Sequence, residues 1–154
     1  MLRYHKGSGI PAPSSMKTIY ELTHREAQMI LSVIQTECQA NNQGAAIAVV
    51  DTHGDLISFL RMDGCGLPPI QIAINKAYTA AREGIPSKML GERAHTDGFP
   101  MTNFGELRYV TWGGGLPVIV DGLVVGAVGV SGLPEDEDMR LAQIGVSIIT
   151  EALG

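Results

Sequence analysis

Two short apolar runs separated by an Asp-Gly pair give the clearest structural signal in the chain. Residues 118–120 and 123–125 flank Asp121 and Gly122. A two-residue type I′ turn needs positive φ at both central positions, which Asp-Gly tolerates. The runs are rich in valine and too short for helices, so they predict two paired strands with a buried face. Residues 113–115 are three glycines, which suit either a flexible turn or a wall that a ligand approaches closely.

The helical periodicity predicts three main helices. The first begins at Thr23, where Thr23 and Glu26 form a T-x-x-E capping box. The second covers residues 68–83 and starts with proline, whose φ suits the first turn. The last begins at the acidic run 135–138, where negative charge complements the helix dipole. The apolar face of the first helix comprises Ala27, Ile30, Leu31, Ile34 and Cys38, and that of the last comprises Met139, Ala142, Val146, Ile149 and Leu153.

Three further strands and one short helix complete the predicted elements. An apolar run at 45–51 and an alternating run at 56–61 predict a hairpin. Residues 107–112 predict a strand that precedes the glycines. Residues 87–93 predict a short helix with Ser87 as its N-cap, followed by a long irregular loop over 94–105. Gly126 and Gly129, inside the last strand, indicate a bulge or a closely packed neighbour.

This order predicts a single α/β domain of the α+β type. The elements run α-β-β-α-(α)-β-β-β-α, so a five-stranded antiparallel sheet with packed helices is the expected architecture. Residues 16–154 form the predicted domain. Residues 1–15 are rich in glycine, proline and serine and are expected to be a flexible tail or a remnant of an expression vector.

Composition narrows the functional classes. The chain of 154 residues is 45% hydrophobic, carries a formal net charge of −5 and has few aromatic residues. The acidic balance and the shortage of stacking side chains argue against nucleic-acid binding. No apolar run reaches membrane-spanning length, so no membrane partner is expected. The start lacks a signal peptide, and two cysteines do not make a disulfide framework, which together predict a cytoplasmic protein.

The sequence carries no strong catalytic motif, but one helix face combines cations and polar groups. Lys76 and Arg82 lie on this helix and Arg61 at the end of a strand. Any two of these three cations, with backbone N–H groups of the glycine run, would make a cradle for a carboxylate or propionate. The alternative is that they are ordinary surface charges. Asp51 and Asp63 flank the same hairpin, where pairing with Arg61 would explain them. The spacing of the histidines matches no zinc site, and any one of them alone suits a haem axial ligand.

Four stretches resemble a known family: residues 49–64, 70–83 and 112–132, together with the acidic start of the last helix. They are similar to the GlcG/HbpS-like family of haem-binding, or "haem-degrading", domains and to the C-terminal domain of PduO. The resemblance implies a profilin-like or GlcG-like fold and a homo-oligomer, from dimer to octamer, with ligand pockets near subunit contacts. It also implies haem or a corrinoid as ligand in some members.

Three functional hypotheses follow from the residues and the resemblance. The first is a protein that binds haem or a related tetrapyrrole, with His24 as the candidate axial ligand. The second is a cytosolic catabolic enzyme, such as a lyase, isomerase or hydrolase, that acts on a small carboxylate at a subunit contact. The third is an accessory oligomer without activity. Catalytic candidates are Lys76, Arg61 and Asp51, and the expected ligand-binding residues are Asn75, Lys76, Thr79, Arg82, Arg61, Gly113, Gly114, Gly115 and Pro117.

The glycine run carries one specific expectation. Beside this helix face and the family pattern, residues 113–115 are interpreted as a pocket wall. Gly114→Val is therefore predicted to abolish ligand binding while leaving the fold largely intact.

Overall fold

A computed structural model of the protein describes residues 16–153, so the predicted N-terminal tail lies outside the described part. Four α-helices, four strands and one 3₁₀ turn make up the described chain. The helices are α1 (His24–Ala40), α2 (Pro68–Glu83), α3 (Ser87–Asp97) and α4 (Glu135–Leu153), with the 3₁₀ turn at Met101–Phe104. The strands are β1 (Ala46–Val50), β2 (Leu56–Arg61), β3 (Gly115–Val120) and β4 (Leu123–Ser131).

The strands form one antiparallel sheet in the order β2-β1-β4-β3. The α+β class and the antiparallel sheet are as predicted, but the described residues form four strands and not five. The expected strand at 107–112 is wrong. Its Val110 N–H donates to the Thr79 hydroxyl of α2 at 2.9 Å, and Tyr109 packs edge-on against Tyr78. This segment therefore bonds to a helix face and leaves β3 as the edge of the sheet.

Helices cover both faces of the sheet. Side chains of successive strand residues point to opposite faces, so Ile47 and Val49 of β1 join α1 and α4 in one core. Ala46 and Ala48 face α2 in a second core made largely of alanine. Small residues on both sides let α2 lie very close to the sheet. A Cβ added at Gly129 of β4 would lie 2.0 Å from the Ala73 carbonyl oxygen.

The local signals for two of the helices and for both hairpins are confirmed. Thr23 and Glu26 form the expected reciprocal capping box at the start of α1. The bounds of α2 match the prediction, and the helix ends at Gly84 with a left-handed φ of 66°. Asp121 and Gly122 have φ values of 50° and 77°, as a type I′ turn requires. A bulge between Val118 and Ile119 confirms the irregularity expected near the glycines of β4.

Three smaller expectations are corrected. Ser87 lies inside α3, whose N-cap is Pro86, and its hydroxyl donates to the Trp112 carbonyl at 2.6 Å. The region expected to be a loop over 94–105 contains the end of α3 and the 3₁₀ turn. In α4, Ala142, Val146 and Ile149 are buried as predicted, whereas Leu153 is exposed and Leu141, which was not predicted, is fully buried.

Across residues 16–153, no helix has both the length and the apolar character that a membrane span requires.

Candidate functional site

Lys76 is a buried cation at the junction of α2, β4 and α4. Only 3% of the residue is exposed. Its Nζ donates to Asp138 Oδ2 and to the Val130 carbonyl oxygen, both at 2.9 Å. The other carboxylate oxygen of Asp138 accepts from the Leu133 N–H at 3.1 Å. Burial raises the pKa of Asp138, and the bond from Lys76 opposes that rise. The pair therefore holds its charges inside the fold, between the sheet and two helices.

A cavity of about 290 Å³ lies beside this ion pair. We call it the Lys76 cavity. Lys76, Asp138 and Ser131 line it together with the backbone of Gly113 and Gly132. The first residues of α2 and of α4 complete the wall, so two helix N-termini meet here. The cavity therefore lies at the end of the sheet where α2 and α4 begin.

The glycine run is a close-approach segment, but the approaching atoms belong to the chain itself. A Cβ at Gly115 would lie 2.2 Å from the Lys76 carbonyl oxygen, and one at Gly113 would lie 2.5 Å from Met139 Sδ. Gly114 has a φ of +120°, and a Cβ there would lie 2.5 Å from the Val130 carbonyl oxygen. The expectation that Gly114→Val leaves the fold largely intact is therefore wrong, because the added side chain meets backbone. Only Gly113 of the three lines the Lys76 cavity.

The acidic residues that open α4 bond to different partners. Glu135 pairs with Lys88 and accepts from the Gly113 N–H at 3.0 Å, and these bonds lower the pKa of its carboxyl. Glu137 pairs with Arg140, and Asp138 with Lys76. Each of these three carboxylates pairs with a different cation, and within residues 16–153 they do not group around a common metal position.

The remaining polar residues of α2 are occupied within the chain. The Thr79 hydroxyl donates to the Asn75 carbonyl oxygen at 2.8 Å and accepts from Val110. The guanidinium of Arg82 lies 5.4 Å from the centre of the Tyr78 ring. Arg82 also donates to the His53 carbonyl oxygen at 3.5 Å. Asn75, Thr79 and Arg82 are not among the residues that line the Lys76 cavity.

Arg61, Asp51 and Pro117 also lie outside that cavity. Arg61 is exposed at the end of β2, opposite Ala46. The Asp51 carboxylate accepts from the N–H groups of His53 and Asp55 at 2.8 and 3.0 Å, so it holds the turn between β1 and β2. Among the described residues neither aspartate of this hairpin pairs with Arg61. Pro117 is buried in β3 opposite Ala127.

A second cavity, the hairpin groove, lies at the opposite end of the sheet. It has a volume of about 500 Å³ and runs between the start of α1, the β3–β4 turn and the end of α4. Leu22, Val120, Leu123, Val125 and Leu153 give it an apolar wall, and Tyr20, Glu21, Thr23, Glu26 and Asp121 give it a polar rim. His24 is exposed and directly follows Thr23 of that rim.

One juxtaposition at the same end was not predicted from the sequence. Ligand atoms of Glu21, Asp51 and His53 lie within 4.8 Å of one another. Glu21 is already bonded to Thr52, and its Oε1 lies 3.6 Å from His53 Nδ1. The three side chains are exposed or half-buried, and the local bonds explain their approach.

The importance of Asp138 was also missed, although the sequence holds a signal for it. Asp138 precedes Ala142, Gly145 and Ile149 by 4, 7 and 11 residues, and all three are buried. A carboxylate on the buried face of a helix needs a hydrogen-bonding or charged partner. The sequence cannot say which cation supplies it, since Lys76 is 62 residues away.

The fold is that of a small α+β domain, and comparison with known proteins places the chain in one family. Residues 22–147 match the family model described as "Haem degrading protein HbpS-like", so the chain belongs to the HbpS-like family. Protein GlcG of Escherichia coli K12 is 41% identical over 123 residues, which are 75% of this chain and 85% of GlcG.

Solved structures agree with this assignment. A double mutant of HbpS from Streptomyces reticuli superposes with a TM-score of 0.82 at 26% identity, over 91% of this chain and 94% of that one. A structure described as a PduOC:haem complex superposes with a TM-score of 0.76 at 23% identity, over 82% of this chain and 94% of that one. At 23% identity, the similarity to the PduOC structure shows a shared fold only.

Proposed function

We propose that the protein binds haem or a related tetrapyrrole, such as a corrinoid, in the hairpin groove. The observation that carries this proposal is the groove itself, which has a volume of about 500 Å³ and an apolar wall. His24 is exposed and follows Thr23 of the rim in the chain, although it is not among the residues that line the groove. Cavities that take cofactors are mainly apolar with a few placed polar groups. An imidazole is a common axial ligand of haem iron.

The side chains present fit the macrocycle better than they fit its propionates. The aliphatic wall suits the flat apolar ring. The rim, by contrast, carries the carboxylates of Glu21, Glu26 and Asp121. Glu26 is held by its bonds to Thr23 and Glu21 by its bond to Thr52. Like charges repel, so propionates are expected to extend from this rim into solvent. His24 would hold the iron, and the wall would exclude water from one face of the ring.

The family and its structures support the same ligand class. The family description names haem degradation, and one fold neighbour was crystallised with haem. The proposal is limited to binding.

The groove also gives a reason for the expected homo-oligomer. It is open on one side, and Tyr20, Leu123 and Leu153 are 66%, 54% and 56% exposed along it. A ring bound there keeps one face in water unless a second subunit covers it. We propose that a second copy of the chain supplies that cover, in an assembly between a dimer and an octamer.

Substitution of the apolar wall tests the groove. Leu123→Glu places a charge where the macrocycle would lie, and a buried leucine side chain is worth about 1.5–3 kcal/mol. We expect haem affinity, measured by the Soret shift, to fall by about tenfold or more. Leu107→Glu is the matched control, because Leu107 is 98% exposed and lies away from the groove. Equal haem affinity in the two variants would show that haem does not bind in the hairpin groove.

A further inference from the structure

We propose that the Lys76 cavity is a second ligand site, which binds the carboxylate of a small organic acid between Lys76 and Ser131. The site is separate from the hairpin groove and does not depend on haem. Leu123, which lines the groove, and Ser131, which lines the cavity, are the two ends of β4. A strand advances about 3.3 Å per residue, so the eight steps between them span about 26 Å.

The ammonium group of Lys76 has one donor left for a ligand. It carries three N–H donors. Two of them are taken, by Asp138 Oδ2 and by the Val130 carbonyl oxygen. Within residues 16–153 no further acceptor is bonded to Nζ. Lys76 lines the cavity while being 3% exposed, so the cavity is the space in which a ligand oxygen or water can accept from its third N–H.

The Ser131 hydroxyl is a second unused donor in the same cavity. Ser131 ends β4, is 5% exposed and lines the cavity. In the described part of the chain its side chain makes no hydrogen bond. The Ser131 Oγ is not among the buried atoms that lack a partner, so it is open to the cavity, where water or a ligand can bond to it. Two unused donors at one cavity suit a ligand with two acceptor oxygens, such as a carboxylate.

The electrostatics of the wall allow an anion despite two nearby carboxylates. Both oxygens of Asp138 accept bonds, from Lys76 and from the Leu133 N–H. Both oxygens of Glu135 accept bonds as well, from Lys88 and from the Gly113 N–H. Two lysines therefore balance two acids, and the dipoles at the N-termini of α2 and α4 add positive potential.

The shape of the cavity limits the size of the acid. Its volume of about 290 Å³ lies at the lower end of the range for ligand pockets, about 300–1,000 Å³. Gly113 and Gly132 contribute no side chains, and Trp112, which is 60% exposed, offers an apolar wall. A short-chain acid with a small apolar tail matches this combination.

The arrangement favours binding over proton transfer. Lys76 lies 2.9 Å from a carboxylate and donates to it. The Nζ is held in place by two acceptors, Asp138 Oδ2 and the Val130 carbonyl oxygen. Lys76 therefore serves as a fixed cation that orients a carboxylate.

A nuclear magnetic resonance titration with acetate and pyruvate tests this site, with acetamide as the neutral counterpart of acetate. We expect saturable amide shifts at Gly113, Ser131 and Gly132 with both acids and much smaller ones with acetamide. Ser131→Ala should weaken acid binding by about tenfold, since a hydrogen bond to a charged group is worth about 1.5–3 kcal/mol. Ser58→Ala, in β2 and outside the cavity, is the matched control and should bind like wild type.

Three results would overturn the proposal. The first is the absence of saturable shifts at these amides with either acid. The second is equal binding of acetamide, which would show that charge is not recognised. The third is unchanged acid affinity in Ser131→Ala. Haem titration of Ser131→Ala separates the two sites, because an intact Soret shift with lost acid binding leaves the groove proposal standing.

Discussion

Lys76 and Asp138 form the most consequential pair of side chains in the described structure. Both are almost completely buried, at 3% and 4% side-chain exposure. A buried ion pair is often no more stable than an apolar replacement, but removal of one partner leaves an uncompensated charge. The pair therefore fixes how α2 and α4 meet the end of β4, and it provides the cation of the proposed acid site.

Lys76→Met is expected to destabilise the protein by about 3–5 kcal/mol at neutral pH, because the Asp138 carboxylate stays buried without its cation. Burial already raises the pKa of Asp138, and Lys76 opposes that rise. The pKa of Asp138 is therefore expected to rise further in the Lys76→Met variant. A carboxyl whose pKa is higher in the folded than in the unfolded state favours folding as protons bind. The loss should therefore shrink as pH falls from 7 towards 4. Urea denaturation across this pH range measures it.

Lys88→Met is the matched control, since Lys88 pairs with Glu135 at 40% exposure. Exposed pairs contribute about 0–1 kcal/mol. The double variant Lys76→Met with Asp138→Leu should recover most of the lost stability, because no buried charge remains. Equal losses in the two single variants would contradict the assignment of Lys76–Asp138 as the buried structural pair.

At the scale of elements, the sequence predicted those helix ends and turns that depend on residues close together in the chain. The capping box of α1, the proline-to-glycine extent of α2 and the Asp121-Gly122 turn depend on residues within a few positions of one another, and all three were predicted correctly. The strand at 107–112 failed because a strand also needs a partner with free backbone groups. Here Thr79 on α2 supplies the hydrogen bonds instead.

The residues of the candidate site were likewise predicted only where the signal is local in the sequence. Lys76 and Gly113 were singled out from sequence, and both line the cavity. The partner of Lys76 was not foreseen, because Asp138 lies 62 positions further along the chain and the contact depends on the tertiary fold. Arg61, Arg82 and Asp51 belong to the same stretches of sequence but lie outside the Lys76 cavity, since strand register and helix phase separate them from it.

Gly129→Ala should test the close packing of α2 on β4. The added Cβ would lie 2.0 Å from the Ala73 carbonyl oxygen and 2.7 Å from the Ala77 nitrogen, so α2 would have to move. Overpacking of this kind costs about 1–3 kcal/mol or more. Gly66→Ala is the control, because its nearest neighbour atom lies 3.8 Å away, and it should change stability by less than about 0.5 kcal/mol. Thermal unfolding compares the two, and equal midpoints would disprove the tight contact.

For the whole molecule, the two proposed sites lie at opposite ends of one sheet. The hairpin groove is open, mainly apolar and next to the start of α1, whereas the Lys76 cavity is small and lined by a buried ion pair. The ligand class proposed for the first site is taken from the description of the HbpS-like family, which names haem. The second site rests only on side chains of this chain. Such a separation allows the two ligands to bind independently.

Haem titration followed at the Soret band is the most direct test of the central claim. We expect a saturable shift in the wild-type protein and a changed or lost shift in His24→Ala, because His24 would ligate the iron. His95→Ala should behave like wild type, since this histidine, which is also exposed, lies in α3, away from the groove. A saturable shift that depends on His24 alone is the predicted result. The absence of any saturable shift in the wild-type protein would contradict the account.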